Sequence, residues 1–140
     1  MNDELGRQFL ENRGMGPLAD TMGLEITHAS AEKVTGTMPV AGNSQPLGLL
    51  HGGANVVLAE SLGSLAANIH AGPDRYAVGI EINATHLASA TKGKVHGTAK
   101  AIKLGGTIAV YEIEIVNDAG ELTCVSRLVC AIRNKRKNNS

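Results

Sequence analysis

Residues 45–64 read QPLGLLHGGANVVLAESLGS, a loop containing Pro and Gly that leads into an almost wholly apolar segment. From Gly52 to about His70 the apolar side chains occupy nearly the whole circumference of a helix, and such a helix must be covered on almost all sides. His51, Gly52 and Gly53 then stand at its start. This stretch predicts one long helix at the centre of the domain, with polar and small residues at its N-terminus.

Strand-like segments surround the predicted central helix. A short helix is expected over 3–12, with Asn2 or Asp3 as its cap, and residues 23–40 alternate as strands do. After the central helix four strand-like runs follow, at 76–90, 93–104, 107–117 and 121–133. The short connections between them are typical of hairpins and predict an antiparallel meander: TKG at 91–93, GG at 105–106 and NDAG at 117–120. The fold class is α+β, with the sheet wrapped around the helix.

Length and charge limit the class of protein. With 140 residues the chain forms one domain, assigned to residues 1–133, and a basic, flexible tail over 134–140. The net charge is zero, which argues against a general nucleic-acid binder. No apolar run approaches the roughly 20 residues that cross a bilayer, and the first residues do not read as a signal peptide. We expect a soluble cytoplasmic protein that binds neither nucleic acid nor membrane.

The two cysteines support a reducing compartment. Cys124 and Cys130 lie in the last strand-like run, where their spacing corresponds to about 20 Å, and a disulfide needs Cα atoms within about 7 Å. Their even spacing places both on one face of the strand. We therefore predict buried, unreactive thiols.

Glu60 is the one acidic residue of the predicted central helix. A buried ionised carboxylate costs several kcal/mol unless it is paired or its pKa rises. No Lys or Arg occurs from Val34 to Pro73, so no neighbour in the sequence balances the charge. The pattern favours a catalytic carboxylate. The alternative is a structural carboxyl held by Ser64, which lies one helical turn on and shares its face.

The segments GLLHGG at 48–53 and LAES at 58–61 resemble the signature of acyl-CoA thioesterases of the 4-hydroxybenzoyl-CoA thioesterase type, which have the hotdog fold. The resemblance continues through GIEINATH at 79–86, KLGGT at 103–107 and SRL at 126–128. It is closest to the bacterial group that hydrolyses 1,4-dihydroxy-2-naphthoyl-CoA or aryl thioesters on siderophore carrier proteins. In the related phenylacetyl-CoA branch an Asp takes the carboxylate position, so Glu60 favours the aryl-CoA branch.

The resemblance implies roles for the residues near the central helix. Glu60 would act as nucleophile or general base, and the backbone N–H of Gly52 or Gly53, with Gly52 preferred, would stabilise the oxyanion. Gln45 and His51 would position the thioester and its water. Helix spacing, rather than the resemblance, adds Ser64, which could hold Glu60 in a network that is also compatible with catalysis. The alternative for the paired glycines is only a tight turn into the helix.

The resemblance also implies where the substrate lies. Coenzyme A is part of the substrate, so no cofactor is expected, and the sequence has no metal-ligand spacing, Walker loop or dinucleotide fingerprint. Lys103, Thr107 and the amides of 105–106 are plausible phosphate contacts, although a plain hairpin turn is the alternative. The substrate-binding candidates are Ser61, His86, Leu87, Ala88, Ser89, Lys103, Gly105, Gly106 and Thr107.

Helix geometry adds a prediction about assembly. Gly52 and Glu60 are separated by about 12 Å along one helix, whereas a reacting carbonyl must lie about 3 Å from both nucleophile and oxyanion donor. One helix cannot supply both groups to one substrate. We therefore expect a homodimer with two shared active sites, and the resemblance implies a homotetramer.

Other activities remain open at this point. A related enzyme could act on phenylacetyl-CoA or a medium-chain acyl-CoA. A non-catalytic hotdog domain that binds acyl-CoA would not need Glu60. A hotdog dehydratase would use a His with an acid, which His51 and Glu60 could mimic, but the LAES context at 58–61 favours a thioesterase.

Overall fold

The computed structural model describes residues 4–136. One long helix, two short helices and six strands make up this part of the chain. In chain order they are α1 (Glu4–Arg13), α2 (Pro17–Met22), β1 (Glu25–Ala29), β2 (Lys33–Pro39), α3 (Gly52–Ala71), β3 (Arg75–His86), β4 (Lys94–Leu104), β5 (Ile108–Asn117) and β6 (Leu122–Asn134).

The six strands form one antiparallel sheet in the order β1-β2-β4-β5-β6-β3. The helix α3 contacts every strand of this sheet, because the sheet curls around it. The α+β architecture expected from the sequence, a hotdog fold with a central helix wrapped by an antiparallel sheet, is confirmed. None of the helices within residues 4–136 is long and apolar enough to cross a membrane.

Close packing between α3 and the sheet depends on small residues. Leu58 and Leu62 are fully buried. A Cβ added to Gly97 of β4 would lie 2.6 Å from Leu62 Cδ1, and one added to Gly63 of α3 would lie 2.7 Å from Leu128 Cδ2 of β6. A larger residue at either glycine would push the helix away from the sheet, so these positions fix the depth at which α3 lies.

The predicted hairpin between the third and fourth strands is wrong. Strand β3 ends at His86 rather than at residue 90, and it pairs with β6, whereas β4 pairs with β2 and β5. Residues 87–93 therefore cross from one edge of the sheet to its other half. Backbone hydrogen bonds from Leu50 N to Ala90 O and from Val40 N to Gly93 O tie this crossing to the loop before α3, so the chain passes beside β2 instead of turning back.

Two details of the N-terminal half differ from expectation. The cap residues Asn2 and Asp3 lie outside the described residues. After Gly14 the chain forms a second helix, α2, that the sequence analysis did not anticipate, with Pro17 in its first turn. The first turn of a helix has N–H groups without acceptors in the helix, so proline, which has no N–H, is well suited to that position. Pro17 therefore begins α2 as well as following the end of α1.

The last strand agrees with its prediction. Cys124 and Cys130 are buried free thiols on the same face of β6. The strand runs to Asn134, and the next residue, Lys135, donates its backbone N–H to Asp74 O and its Nζ to Pro73 O. Residues 137–140 lie outside the part of the chain that the structure describes.

Candidate active site

The N-terminus of α3 presents a free backbone amide. His51 is the N-cap, and its Nδ1 accepts a hydrogen bond of 2.8 Å from Gly53 N–H. The N–H of Gly52 has no acceptor among the described residues, as is usual for the first turn of a helix. Of the two glycines, Gly52 is therefore the one whose amide is available to a ligand, and the helix dipole makes that position favourable for negative charge.

The imidazole of His86 lies beside this amide. A Cβ added to Gly52 would stand 3.1 Å from His86 Nε2, so only glycine leaves room for the ring at its present position. His86 Nδ1 is 3.4 Å from Asn55 Nδ2, and Asn55 is only 5% exposed. Asn55 Oδ1 is buried without a hydrogen-bond partner among residues 4–136. Asn55 is a site residue not predicted from the sequence; the available signal was a polar side chain among the apolar residues of the first turns of α3.

Gln45 lies in the loop before α3 and organises it. Its side-chain Oε1 accepts from Leu47 N–H, and its backbone N–H donates to Leu49 O at 2.8 Å. The side-chain amide nitrogen has no acceptor in the described chain. The oxygen of Gln45 thus serves the loop, and its N–H groups remain available to a substrate carbonyl.

Glu60 is half-buried in the isolated chain, which corrects the expectation of a fully buried carboxylate. A Cβ added to Gly79 of β3 would lie 2.9 Å from Glu60 Oε2, so the carboxylate rests directly against that glycine. Gly79 pairs with Cys130 of β6. Burial raises the pKa of the Cys130 thiol to about 11; a Ser64 hydrogen bond opposes this shift, and the charge of Glu60 adds to it. Glu60, Ser64, Gly79 and Cys130 are therefore neighbours.

An open cavity of about 560 Å³ lies between the two N-terminal helices and the half-exposed face of α3. Glu60, Ser61 and Ser64 line it from α3. Its other walls are mainly apolar and come from Phe9, Met15, Leu18, Val57 and Leu65. Arg13 also lines it, so a cation from outside the sequence neighbourhood of Glu60 shares this cavity with the carboxylate. The cation comes from α1, far from Glu60 along the chain.

Apart from Ser61, which lies in the middle of α3, the substrate-binding candidates form two groups near opposite ends of that helix. His86 is beside Gly52, at the N-terminal end, and Leu87 and Ala88 follow it with their N–H groups directed at Thr123 O. The turn at 105–107 lies near the C-terminal end, where His70 Nε2 is 2.7 Å from Gly105 O.

The amide of Gly105 is not free, contrary to expectation, because it donates to Ile108 O at 2.9 Å. In one chain the structure brings His86 together with Gly52, and Ser61 and Ser64 together with Glu60. It does not bring Lys103, Gly105, Gly106 and Thr107 to either place. Within residues 4–136 no group of His, Cys, Asp or Glu side chains is arranged to hold a metal ion.

The contact between Gly79 and Glu60 gives a direct test of the site. Gly79→Ala should displace the Glu60 carboxylate, because 2.9 Å is too short for a Cβ–oxygen contact and the backbone of Gly79 does not have positive φ. We expect thioester hydrolysis to fall about 10- to 100-fold, since small misplacements of a reacting group cost that much. Steady-state kinetics with an acyl-CoA substrate measures this.

A matched glycine in the core serves as the control for Gly79→Ala. Gly97→Ala adds the same methyl against Leu62 and should lower the free energy of unfolding by about 1–3 kcal/mol through overpacking. In Gly79→Ala the added methyl group meets the flexible end of the Glu60 side chain, so this variant should lose less stability than Gly97→Ala. Equal losses of stability in the two variants, with full activity in Gly79→Ala, would contradict this account.

The wrapped helix, the free amide at its start and the carboxylate facing a cavity point to one class of protein, the hotdog-fold thioester hydrolases. The family model of the thioesterase superfamily matches residues 47–124. The chain belongs to that superfamily and is a thioester hydrolase.

Individual relatives agree with this assignment. The chain is similar to the 1,4-dihydroxy-2-naphthoyl-CoA hydrolase of Escherichia coli, with 43% identity over 89% of this chain and 93% of that protein. It is 37% identical to a proofreading thioesterase of Cronobacter turicensis over 89% of this chain and 92% of that protein. A solved thioesterase from Haemophilus influenzae superposes with a TM-score of 0.84 and 36% identity, covering 95% of this chain and 91% of that one.

Proposed function

We propose that the protein hydrolyses an aryl-type acyl-CoA, or the same acyl group on a carrier protein, to the free acid and the thiol. Water supplies the oxygen that joins the carbonyl carbon, the carbon–sulfur bond breaks, and the thiolate leaves with a proton. The observation that carries the proposal is the Glu60 carboxylate at the wall of a largely apolar cavity. The names of the relatives in Escherichia coli and Cronobacter turicensis support it.

Glu60 supplies the negative charge that the reaction needs. It either attacks the carbonyl carbon to give an anhydride that water opens, or takes a proton from the attacking water. Gly79 lies against the carboxylate and limits the positions that it can take, whereas the hydroxyl of Ser64 is hydrogen-bonded to Cys130. Arg13 lines the same cavity from the end of α1.

The Gly52 amide receives the developing oxyanion. It is free of other acceptors in the described chain and stands at the positive end of the α3 dipole. His51 fixes the first turn by accepting from Gly53 N–H. The side-chain amide of Gln45, in the loop before α3, and the ring of His86, beside Gly52, are candidates for binding the thioester.

The active site in this proposal is shared between two chains, because Glu60 and the Gly52 amide lie about 12 Å apart along α3. Strand β3 supports the pairing: it is an edge strand of 12 residues, and it exposes Val78 (38%) and Ile80 (56%). An exposed apolar edge of this length is a natural place for a second copy to add its own edge. The tetramer expected from the resemblance would join two such dimers.

Pairing of chains also accounts for the separated substrate-binding candidates. In one chain, the turn at 105–107 lies near the C-terminal end of α3, far from the Gly52 amide. In an assembly, a coenzyme A molecule whose thioester lies at one chain's Gly52 can reach the turn of a neighbouring chain. Lys103, Gly106 and Thr107 would then contact its phosphates.

The acyl preference gives the test of this function. With benzoyl-CoA and acetyl-CoA at equal, subsaturating concentrations, we expect benzoyl-CoA to turn over faster, because the apolar walls of the cavity bury a ring. A thiol reagent reports released coenzyme A for both substrates. Slower turnover of benzoyl-CoA would contradict the aryl preference, and no turnover of any thioester would contradict the function itself.

A further inference from the structure

We infer that the acyl group carries an anionic group at the end remote from the thioester, and that Arg13 binds it. This inference rests on the proposed function, because it assigns a charge to the substrate of the same cavity. Glu60 and Arg13 line that cavity from α3 and from the end of α1. A substrate whose carbonyl lies at Glu60 therefore extends toward a cation.

Arg13 is available for a ligand. Among the described residues it makes no ion pair, whereas Arg7 on the same helix is paired with both Glu4 and Glu11. The guanidinium carbon of Arg13 lies 5.2 Å from the centre of the Phe9 ring. This stacking holds the face of the guanidinium and leaves its N–H groups, which lie at the edge, for a carboxylate.

The positive charge continues beyond Arg13. A second cavity of about 230 Å³ shares Phe9, Arg13 and Asn68 with the first, and it is also lined by Arg75 and Lys135. No acidic residue lines the second cavity, and Glu60 is the single acidic residue lining the first.

Arg75 and Lys135 are held in place by backbone carbonyls rather than by carboxylates. Arg75 donates to Ala71 O and Gly106 O, and Lys135 donates to Pro73 O. Their charges are therefore not neutralised locally. Of the charged residues that line the two cavities, Glu60 lines only the first, Arg75 and Lys135 line only the second, and Arg13 lines both.

The two cavities share Phe9, Arg13 and Asn68, and together we call them the groove. Its dimensions fit a substituted acyl group. Glu60 and Asn68, which line the first cavity from α3, are separated by about 12 Å along the helix. An unsubstituted ring at Glu60 would leave the cationic end empty. A ring or chain that ends in a carboxylate would fill the groove and pair its charge with Arg13, away from the repulsion of Glu60.

Two matched pairs of substrates test this inference. The first is 4-carboxybenzoyl-CoA with 4-methylbenzoyl-CoA, and the second, which is longer, is suberyl-CoA with octanoyl-CoA. In the unmodified protein we expect kcat/KM for the carboxylate member to exceed that of its partner by about tenfold or more in at least one pair. The preference should shrink as salt is added, because an exposed charge pair is screened.

Substitutions on α1 show whether Arg13 is responsible. Arg13→Met should abolish the preference, Arg13→Lys should keep most of it, and Arg13→Glu should reverse it. Arg7→Met is the matched control: it removes a neighbouring arginine of the same helix that does not line either cavity, and the preference should stay unchanged. Melting temperatures confirm that each variant folds.

The remaining outcomes contradict either the role of Arg13 or the proposed function. No carboxylate preference in either pair, with benzoyl-CoA still hydrolysed, would overturn the inference and leave the proposed function standing. Equal losses on both members of a pair in Arg13→Met would also overturn it, because they would mean a structural role. If no thioester is hydrolysed at all, the proposed function fails instead.

Discussion

Glu60→Gln and Glu60→Ala are expected to lose about 10²-fold or more of the thioester hydrolysis rate, because each removes the carboxylate that we propose as nucleophile or base. The folded state should persist, since Glu60 is half-buried and makes no ion pair within the described residues. Single-turnover kinetics with benzoyl-CoA measures the loss, and thermal unfolding measures stability.

Ser64→Ala is a graded comparison for the Glu60 variants. It keeps the carboxylate and removes a neighbouring hydroxyl, so its loss of rate should be smaller than that of Glu60→Gln. If Glu60→Ala hydrolyses every accepted thioester at the original rate, Glu60 has no part in the reaction. Glu60 would then be a structural carboxyl, which is the alternative that the sequence leaves open.

Mixed dimers should recover activity that neither parent has. Glu60→Ala and Gly52→Val are each expected to be nearly inactive as homodimers. Gly52→Val places a side chain next to the proposed oxyanion donor, and that side chain would displace the ring of His86. When one chain carries Glu60→Ala and its partner Gly52→Val, one shared site collects both substitutions and the other collects neither. Doubly tagged, purified heterodimers should therefore show about half of the unmodified activity per dimer.

The reversed arrangement is the control for this experiment. A chain with both substitutions, paired with an unmodified chain, places one substitution in each shared site and should be nearly inactive. If instead each chain held a complete site, the double variant would keep half of the activity and the first heterodimer would have none. The two arrangements thus give opposite results under the two hypotheses.

The sequence predicted where helices and strands begin and end better than it predicted which strands pair with each other. The apolar circumference of residues 52–70 identified α3 almost to its ends, and period-2 alternation located β4, β5 and β6. Alternation says that a segment is a strand but not which strand lies beside it. The turn-like TKG at 91–93 therefore predicts a hairpin, whereas β3 pairs with β6 at one edge of the sheet.

The same distinction applies to the site. His51, Gly52 and Glu60 lie on one continuous stretch, so helix geometry alone related them to one another. Arg13 and Gly79 come from α1 and β3, and only the packing of those elements on α3 places them at the cavity and at the carboxylate. A glycine or an exposed arginine has no local pattern that marks it as part of a site.

The exposed edge of β3 has a consequence for the life of the chain in the cell. If the protein pairs at this edge as proposed, a newly made chain that has not yet met a second copy displays a row of unpaired backbone groups flanked by apolar side chains. The time it spends in this state depends on how quickly another copy arrives. For the dimer proposed here, aggregation through this edge is therefore more of a risk when the protein is made slowly than when it is abundant. At low concentration each chain spends longer unpaired, and its free edge can pair with a strand of another protein.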